Sequence, residues 1–172
     1  MSRMSRMSRK VAAIVGVVFA IDGGGTAWRA DAGQAKTQDA LRQPFVGSWR
    51  LVSIVGGDNP TNRGTTPTGI IMYDAHGNMA VQIVPDRPRP TYTGTPTADQ
   101  AAERMRGYTA YFGTYTIDEK AGTVTHHRQG MLDAGVVDFV RAFALTPDGN
   151  RITLTSVGGT GTRTDLTWER VR

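Results

Sequence analysis

Two adjacent histidines, His126 and His127, lie in the stretch TVTHHRQG (residues 123–130), whose composition is typical of a β-strand. Neighbouring strand residues point to opposite faces, so one imidazole faces the interior of the sheet and the other faces solvent. Val124 shares a face with His126 and favours His126 as the inward residue. With an unperturbed pKa of about 6.5, an inward imidazole can contact a ligand or act as a general acid or base. A structural or solvent-exposed pair is the alternative.

The same two histidines make a poor metal site, because adjacent strand residues diverge and cannot ligate one ion. The chain has no cysteine, and its third histidine, His76, lies in a predicted turn. The sequence also lacks a phosphate-binding loop, a dinucleotide fingerprint and a nucleophile elbow. We therefore predict no metal and no cofactor.

A third candidate side chain is Arg141, which lies between two aromatic residues of the predicted strand VVDFVRAFAL (136–145). Alternation places Phe139, Arg141 and Phe143 on one face, and the aromatic face is the better candidate for the interior. Burying a guanidinium is unfavourable unless it is paired. We therefore expect Arg141 to bind an acidic side chain or the carboxylate of a ligand. A head group that reaches water at the end of the sheet is the alternative.

Aromatic side chains on other predicted strands could form the walls of a ligand site. Tyr111 and Tyr115 share one face of their strand with Gly113 between them, and Trp49 lies on the first strand. Tyrosine offers a flat apolar wall with a polar tip, which suits an aromatic or amphipathic ligand. Gly113 either leaves space between the rings or marks a bend in the strand. Ordinary core packing explains the same residues equally well.

Eight strands must position these residues, and most of them are joined by tight turns. Sequential strands without large crossovers predict an all-β, eight-stranded antiparallel up-and-down β-barrel with one short helix, which is large enough for one small ligand. A two-sheet sandwich is the alternative. The predicted strands cover residues 45–54, 68–74, 78–84, 108–118, 123–129, 136–145, 151–157 and 162–171.

The longest break in this pattern covers residues 85–107. It begins with the proline-rich stretch PDRPRPTYTGTPT (85–97), and TADQAAERMRGY (97–108) then predicts a short helix that Thr97 or Asp99 could cap. Long excursions in compact domains are usually functional or disordered. We expect this one to cover the mouth of the barrel.

The two ends of the strand series carry a family resemblance. The first strand begins with Gly47-Ser48-Trp49, a G-x-W sequence, and the last strand ends LTWERVR (166–172), which contains Arg170. This resembles the lipocalin signature, in which the tryptophan closes the narrow end of the barrel and an arginine from the last strand packs across it. With YFGTYTIDEKAGTVTHH (111–127), the chain resembles the bacterial and fungal lipocalin-like domain family, a branch of the calycin-type β-barrels, over roughly residues 43–171.

The resemblance implies a barrel that binds a small hydrophobic or amphipathic molecule in its interior. The candidate ligand-binding residues share aromatic or polar character and predicted inward positions: Trp49, Tyr111, Tyr115, His126 or His127, Phe139, Arg141 and Phe143. The alternative is a small-molecule enzyme of isomerase, cyclase or hydrolase type, whose inward histidine is the general acid or base. A third possibility is a barrel with a packed interior and no ligand.

The N-terminal 32 residues predict a signal peptide. MSRMSRMSRK is positively charged, VAAIVGVVFAI (11–21) is an apolar run of 11 residues, and ADA (30–32) matches a cleavage site. An uncleaved membrane anchor is the alternative, although the run is short for a bilayer span. We therefore divide the chain into a signal peptide (1–32), an N-terminal tail (33–44) and a barrel domain (45–172), and expect a secreted or periplasmic protein.

The charge of the chain argues against a nucleic-acid partner. The net charge is +5, and residues 1–32 hold five of the 20 basic side chains against two of the 15 acidic ones. Without the predicted signal peptide the chain is nearly balanced and has no concentrated basic stripe. We expect a small-molecule partner, no nucleic acid and no membrane after cleavage. The oligomeric state is left open.

Overall fold

The computed structural model of the protein describes residues 36–58, 60–133, 135 and 137–172. The predicted signal peptide lies outside these residues. The helices and strands are α1 (Gln38–Arg42), β1 (Gly47–Gly56), β2 (Thr68–Tyr73), β3 (Asn78–Val84), α2 (Ala98–Met105), β4 (Thr109–Asp118), β5 (Thr123–Met131), β6 (Asp138–Leu145), β7 (Arg151–Val157) and β8 (Arg163–Arg170). None of the helices in this part of the chain has the length and apolar character needed to cross a membrane.

The eight strands form one closed antiparallel barrel in sequence order. The ring closes because β1 pairs with β2 along one edge and with β8 along the other. The predicted up-and-down barrel is therefore confirmed, and the two-sheet alternative is excluded. Closure leaves no exposed strand edge and creates one interior that all strands share.

Alternation along each strand separates the interior from the outer surface. In β4, Tyr111, Tyr115 and Ile117 are buried, whereas Phe112 between them is exposed. This follows from the two-residue period of a strand, which sends successive side chains to opposite faces. The buried apolar side chains of the barrel make one continuous core.

Two irregularities in the pairing change which side chains can face inward. The register of β1 shifts between Leu51 and Ser53. Strict alternation from Trp49 would turn Ser53 inward, but Ile54 packs against the core instead. The register of β4 shifts between Phe112 and Gly113. A Cβ atom on Gly113 would overlap the carbonyl oxygen of His127, so this glycine allows two backbones to approach and does not open space for a ligand.

One end of the barrel is sealed by an arginine that lies on a tryptophan, and we call it the closed end. The Cζ atom of Arg170 lies 4.1 Å from the centre of the Trp49 ring. The indole nitrogen of Trp49 donates to the carbonyl of Phe45, 2.8 Å away. Gly47 has a φ of 132°, and a Cβ atom there would lie 2.9 Å from Nη1 of Arg170. This is the arrangement of Gly47, Trp49 and Arg170 that the resemblance implies.

The guanidinium of Arg170 also ties three chain segments together. It donates to the carbonyls of Val46 at 2.6 Å, Pro44 at 2.7 Å and Gly149 at 3.1 Å. The first two carbonyls precede β1 and the third precedes β7. Arg170 therefore joins both chain segments to the end of β8 through charge-assisted hydrogen bonds.

Helix α1 covers the closed end from the N-terminal side. Thr37 caps the helix, and the side-chain amide of Gln38 donates to the carbonyl of Ile117 (2.7 Å) while its oxygen accepts from the amide of the same residue (3.0 Å). Arg42 lies over the ring of Tyr115 at 5.6 Å. Helix α1 therefore packs against β4 and helps to close this end of the barrel.

The opposite end, the open end, is covered by loops. The loop between β1 and β2 meets the proline-rich loop after β3, where the amide of Asp86 donates to the carbonyl of Arg63 (2.7 Å). The carboxylate of Asp86 accepts from the hydroxyl of Thr66, 2.5 Å away. Farther along, Thr97 and Gln100 form a capping box at the start of α2. The excursion over residues 85–107 is thus a packed loop and helix.

Replacing Arg170 by lysine should lower the free energy of unfolding by about 2 kcal/mol, because an ammonium group cannot reach three carbonyls while stacking on an indole. Urea denaturation measures this loss. The matched control is Arg172→Lys, an exposed arginine two residues away, which should leave the midpoint unchanged. Equal midpoints for the two variants would show that the packing of Arg170 does not stabilise the barrel.

Candidate functional site

The centre of the barrel holds a histidine bonded to two tyrosines. His126 has an exposed fraction of 0%. Its Nε2 atom lies 2.8 Å from the hydroxyl of Tyr73 on β2, and its Nδ1 atom lies 2.9 Å from the hydroxyl of Tyr111 on β4. Residues on three strands therefore meet across the interior, and both nitrogens of the inward imidazole are occupied.

This Tyr73–His126–Tyr111 cluster is electrically neutral. Burial lowers the pKa of His126 well below its usual range, and the positive charges of Arg141 and Arg128 lower it further. Burial raises the pKa of both tyrosines, although Arg141 opposes the rise at Tyr111. A neutral imidazole donates at one nitrogen and accepts at the other, so one tyrosine donates to the ring and the other accepts from it.

His127 lies on the outer face of the barrel and cannot contact a ligand inside it. Its Nδ1 atom pairs with the carboxylate of Asp138 at 2.8 Å, and its Nε2 atom lies 2.9 Å from the hydroxyl of Thr116. The strand alternation that turns His126 inward forces this position. His127 is therefore not among the residues that can contact a ligand in the interior of the barrel.

Arg141 is buried near the cluster, with an exposed fraction of 7%. Its Cζ atom lies 4.1 Å from the centre of the Phe139 ring, which holds the guanidinium on an aromatic face. Its Nε and Nη1 atoms have no hydrogen-bond partner among the described residues. No aspartate or glutamate is buried in the described part of the chain. The acidic protein partner that the sequence allows for Arg141 is therefore not found there.

A second buried arginine, Arg128, differs from Arg141 in having an acidic partner. Its exposed fraction is 6%, and its Nη1 atom lies 3.7 Å from the carboxylate of Asp133. The guanidinium also lies 5.4 Å from the ring of Tyr111 and 5.6 Å from the ring of Phe139. Both guanidinium groups therefore lie near the ring of Phe139, and Asp133 compensates the charge of Arg128.

Arg141, Tyr111 and His126 line a small cavity inside the barrel. The cavity measures about 10 Å³, which is close to the space that one water molecule needs. Thr109 and Trp168 complete its polar lining, and the indole nitrogen of Trp168 has no hydrogen-bond partner within the described residues. The interior around this cavity is packed with side chains and does not form the wide cup expected from a ligand-binding barrel.

Besides His127 on the outer face, four of the predicted ligand residues do not line this cavity, and one of them is Phe139, which stacks on Arg141. Trp49, Tyr115 and Phe143 belong to the core near the closed end and are absent from the cavity lining. The hydroxyl of Tyr115 donates to the carbonyl of Asp74 at 2.8 Å, and the rings of Phe143 and Phe45 are 5.0 Å apart. Their ligand role stays a prediction that this packing does not favour.

The structure adds three residues that the sequence did not single out. Tyr73 and Trp168 follow the inward alternation of β2 and β8, so the strand pattern itself could have found them. Arg63 belongs to the loop between β1 and β2, and its Nη1 atom is buried without a partner among described atoms. Burial lowers the pKa of Arg63, and the positive charge of Arg141 lowers it further.

Metal chemistry receives no support from the described residues, because no three His, Cys, Asp or Glu side chains come together there in a way that could hold an ion. The polar groups of the cavity are instead donors or neutral hydroxyls. Arg141 and Trp168 can only donate hydrogen bonds. The arrangement can therefore bind an acceptor.

Comparison with known proteins gives one result for the family. A family model described as a lipocalin-like domain matches residues 46–171, which is most of the chain. The chain therefore belongs to the lipocalin-like domain family. No curated protein matches it.

The stability of the barrel should fall as the pH drops from about 7.5 to about 5, because the unfolded chain protonates His126 near pH 6.5 while the folded chain holds it neutral. The contribution of this residue approaches about 1.4 kcal/mol per pH unit below that value. The effects of carboxylate protonation on unfolding begin at lower pH, since aspartate and glutamate titrate near 4 (about 3.9 and about 4.3).

Urea denaturation at a series of pH values measures this slope in the wild type and in His126→Gln, whose amide can still bond both tyrosines. The glutamine variant should lose the decline between about pH 6.5 and about pH 5. His127→Gln, which changes the outward neighbour, is the matched control and should retain it. An unchanged slope in His126→Gln would mean that the buried imidazole titrates normally.

Proposed function

We propose that this member of the lipocalin-like domain family is an exported protein that binds a small amphipathic molecule through the open end of its barrel. The fold suggests small-molecule binding. The observation that carries the proposal is Arg141, a buried guanidinium whose Nε and Nη1 atoms have no partner among the described residues. Such burial is unfavourable, and an acceptor on a ligand would offset the cost.

Access to Arg141 is expected from the open end, because Arg170, Trp49 and α1 seal the closed end. The polar part of the ligand would lie between Arg141 and the Tyr73–His126–Tyr111 cluster, and its apolar part would extend toward the mouth. The cavity of about 10 Å³ holds only a water-sized group. The rest of the ligand must therefore displace half-buried side chains near the mouth, such as Phe139 and Ile54.

An enzyme on the same barrel receives less support from this geometry. A general acid or base must reach the reacting atoms of its substrate. Both nitrogens of His126 contact tyrosine hydroxyls, and the ring is fully buried. The cluster is better suited to close the floor of a binding site than to transfer protons to a substrate.

Binding can be tested with N-phenyl-1-naphthylamine, a neutral hydrophobic fluorophore whose emission rises in apolar sites. We expect saturable binding at one site, and Thr109→Phe should weaken it by about tenfold or more, because the new ring occupies the cavity beside Arg141. Thr125→Phe on the neighbouring strand β5 is the matched control: Thr125 is half-buried, and it points outward because its neighbours Val124 and His126 point inward. Thermal melts show that both variants fold.

Binding of the fluorophore that is equal in wild type, Thr109→Phe and Thr125→Phe would place its site outside the barrel. Absence of binding in all three proteins would contradict the proposed function itself.

Export predicts a specific N-terminus for the mature protein. N-terminal sequencing of the protein from the envelope or culture medium of its own host should begin at Gly33, directly after the ADA sequence (30–32). The alternative of an uncleaved anchor predicts a membrane-bound protein that begins at Met1, Met4 or Met7.

A further inference from the structure

We propose that the polar group of the ligand is a carboxylate, which Arg141 binds together with Trp168 and Arg63 in the interior of the barrel. This inference rests on the proposed function and names the chemical class of the ligand. The donors of these three side chains lie on β6, β8 and the loop between β1 and β2. Arg141 and Trp168, which are far apart in the sequence, line the same cavity.

The first argument is the chemistry of the groups without partners. Arg141 contributes Nε and Nη1, Trp168 contributes Nε1 and Arg63 contributes Nη1, and none of these four nitrogens meets an acceptor in the described structure. Guanidinium and indole groups donate hydrogen bonds and cannot accept them. A group that satisfies them must supply acceptor lone pairs, which excludes an ammonium group from this position.

The second argument is burial. Arg141 has an exposed fraction of 7%, and Trp168 has one of 1%. Both side chains line the cavity of about 10 Å³, which has space for one acceptor atom. A carboxylate oxygen is of this size, and its partner oxygen would face the mouth, where Arg63 lies.

The third argument is charge. Arg128 and Arg141 are the buried charged side chains among the described residues. No aspartate or glutamate in this part of the chain is buried beside them. Asp133 compensates Arg128 at 3.7 Å. Asp58, the acidic residue near Arg63, is exposed and accepts from Thr160. The charge of Arg141 is therefore left for the ligand to compensate.

A water molecule or a neutral hydroxyl could accept the same hydrogen bonds, but neither would neutralise a buried cation. Hydrogen bonds between a guanidinium and a carboxylate are shorter and stronger than those to neutral acceptors. The site should therefore distinguish ligands by the charge of the head group more than by the length of the tail.

The test compares three amphiphiles with the same ten-carbon tail: decanoate, decanol and decyltrimethylammonium. Each is titrated below its micelle concentration against the wild-type protein, and displacement of N-phenyl-1-naphthylamine measures its affinity. We expect decanoate to displace the fluorophore at a concentration at least about tenfold lower than the other two. Equal potency of the three heads would overturn the carboxylate assignment and leave the proposed function standing.

The variant Arg141→Met tests whether Arg141 causes the preference for decanoate, since methionine keeps an unbranched side chain and removes the charge. The variant should bind decanoate no better than decanol, so that the preference of at least about tenfold for decanoate is lost. Without ligand, the variant should be as stable as the wild type or more stable, because the substitution removes a buried charge that has no acidic partner among the described residues and that destabilises the fold. Arg151→Met, an exposed arginine on β7, is the matched control.

Trp168→Phe provides a second, independent variant, because it removes the N–H group and keeps most of the ring. We expect the ratio of decanoate affinity to decanol affinity to fall severalfold. The inference is wrong if both variants prefer decanoate as the wild type does. Loss of fluorophore binding in the wild type would instead contradict the proposed function.

Discussion

An inward polar side chain of a closed barrel has no contact with bulk water, so its partners must come from the other strands or from the segments that cover the two ends. The chain meets this requirement completely at its centre, where the hydroxyls of Tyr73 and Tyr111 occupy both nitrogens of His126. It also meets it at the closed end, where the guanidinium of Arg170 finds three carbonyls. Arg141 is the contrasting case.

Arg141 and Arg170 show how one residue type can serve two purposes in the same barrel. Each guanidinium lies 4.1 Å from the centre of an aromatic ring, Phe139 for Arg141 and Trp49 for Arg170. Arg170 is satisfied by backbone oxygens, which makes it a structural residue. Arg141 keeps two nitrogens without partners among the described residues, next to a cavity in the interior of the barrel. The presence or absence of hydrogen-bond acceptors around the guanidinium therefore distinguishes a residue that stabilises the fold from one that can recognise a ligand.

Much of this fold could be predicted from the sequence, because alternation and turns are local properties. The eight strands and the inward position of His126 follow from the two-residue period, and Trp49 and Arg170 follow from the resemblance. The shift of Ile54 into the core was not predictable, since a bulge depends on the partner strand. The position of Arg63 depends on how a loop folds over the mouth, which local pattern does not encode. The packed interior likewise depends on volumes contributed by all strands.

The account depends most on the claim that the charge of Arg141 is compensated by an anion from outside the protein. A crystal structure of the mature protein grown with decanoate tests this claim directly. The account predicts electron density for a carboxylate within hydrogen-bond distance of the Arg141 guanidinium and the Trp168 indole nitrogen, with the tail directed toward the open end. An Arg141 side chain that pairs with an acidic residue of the protein, or that contacts only water while decanoate lies elsewhere, would contradict it.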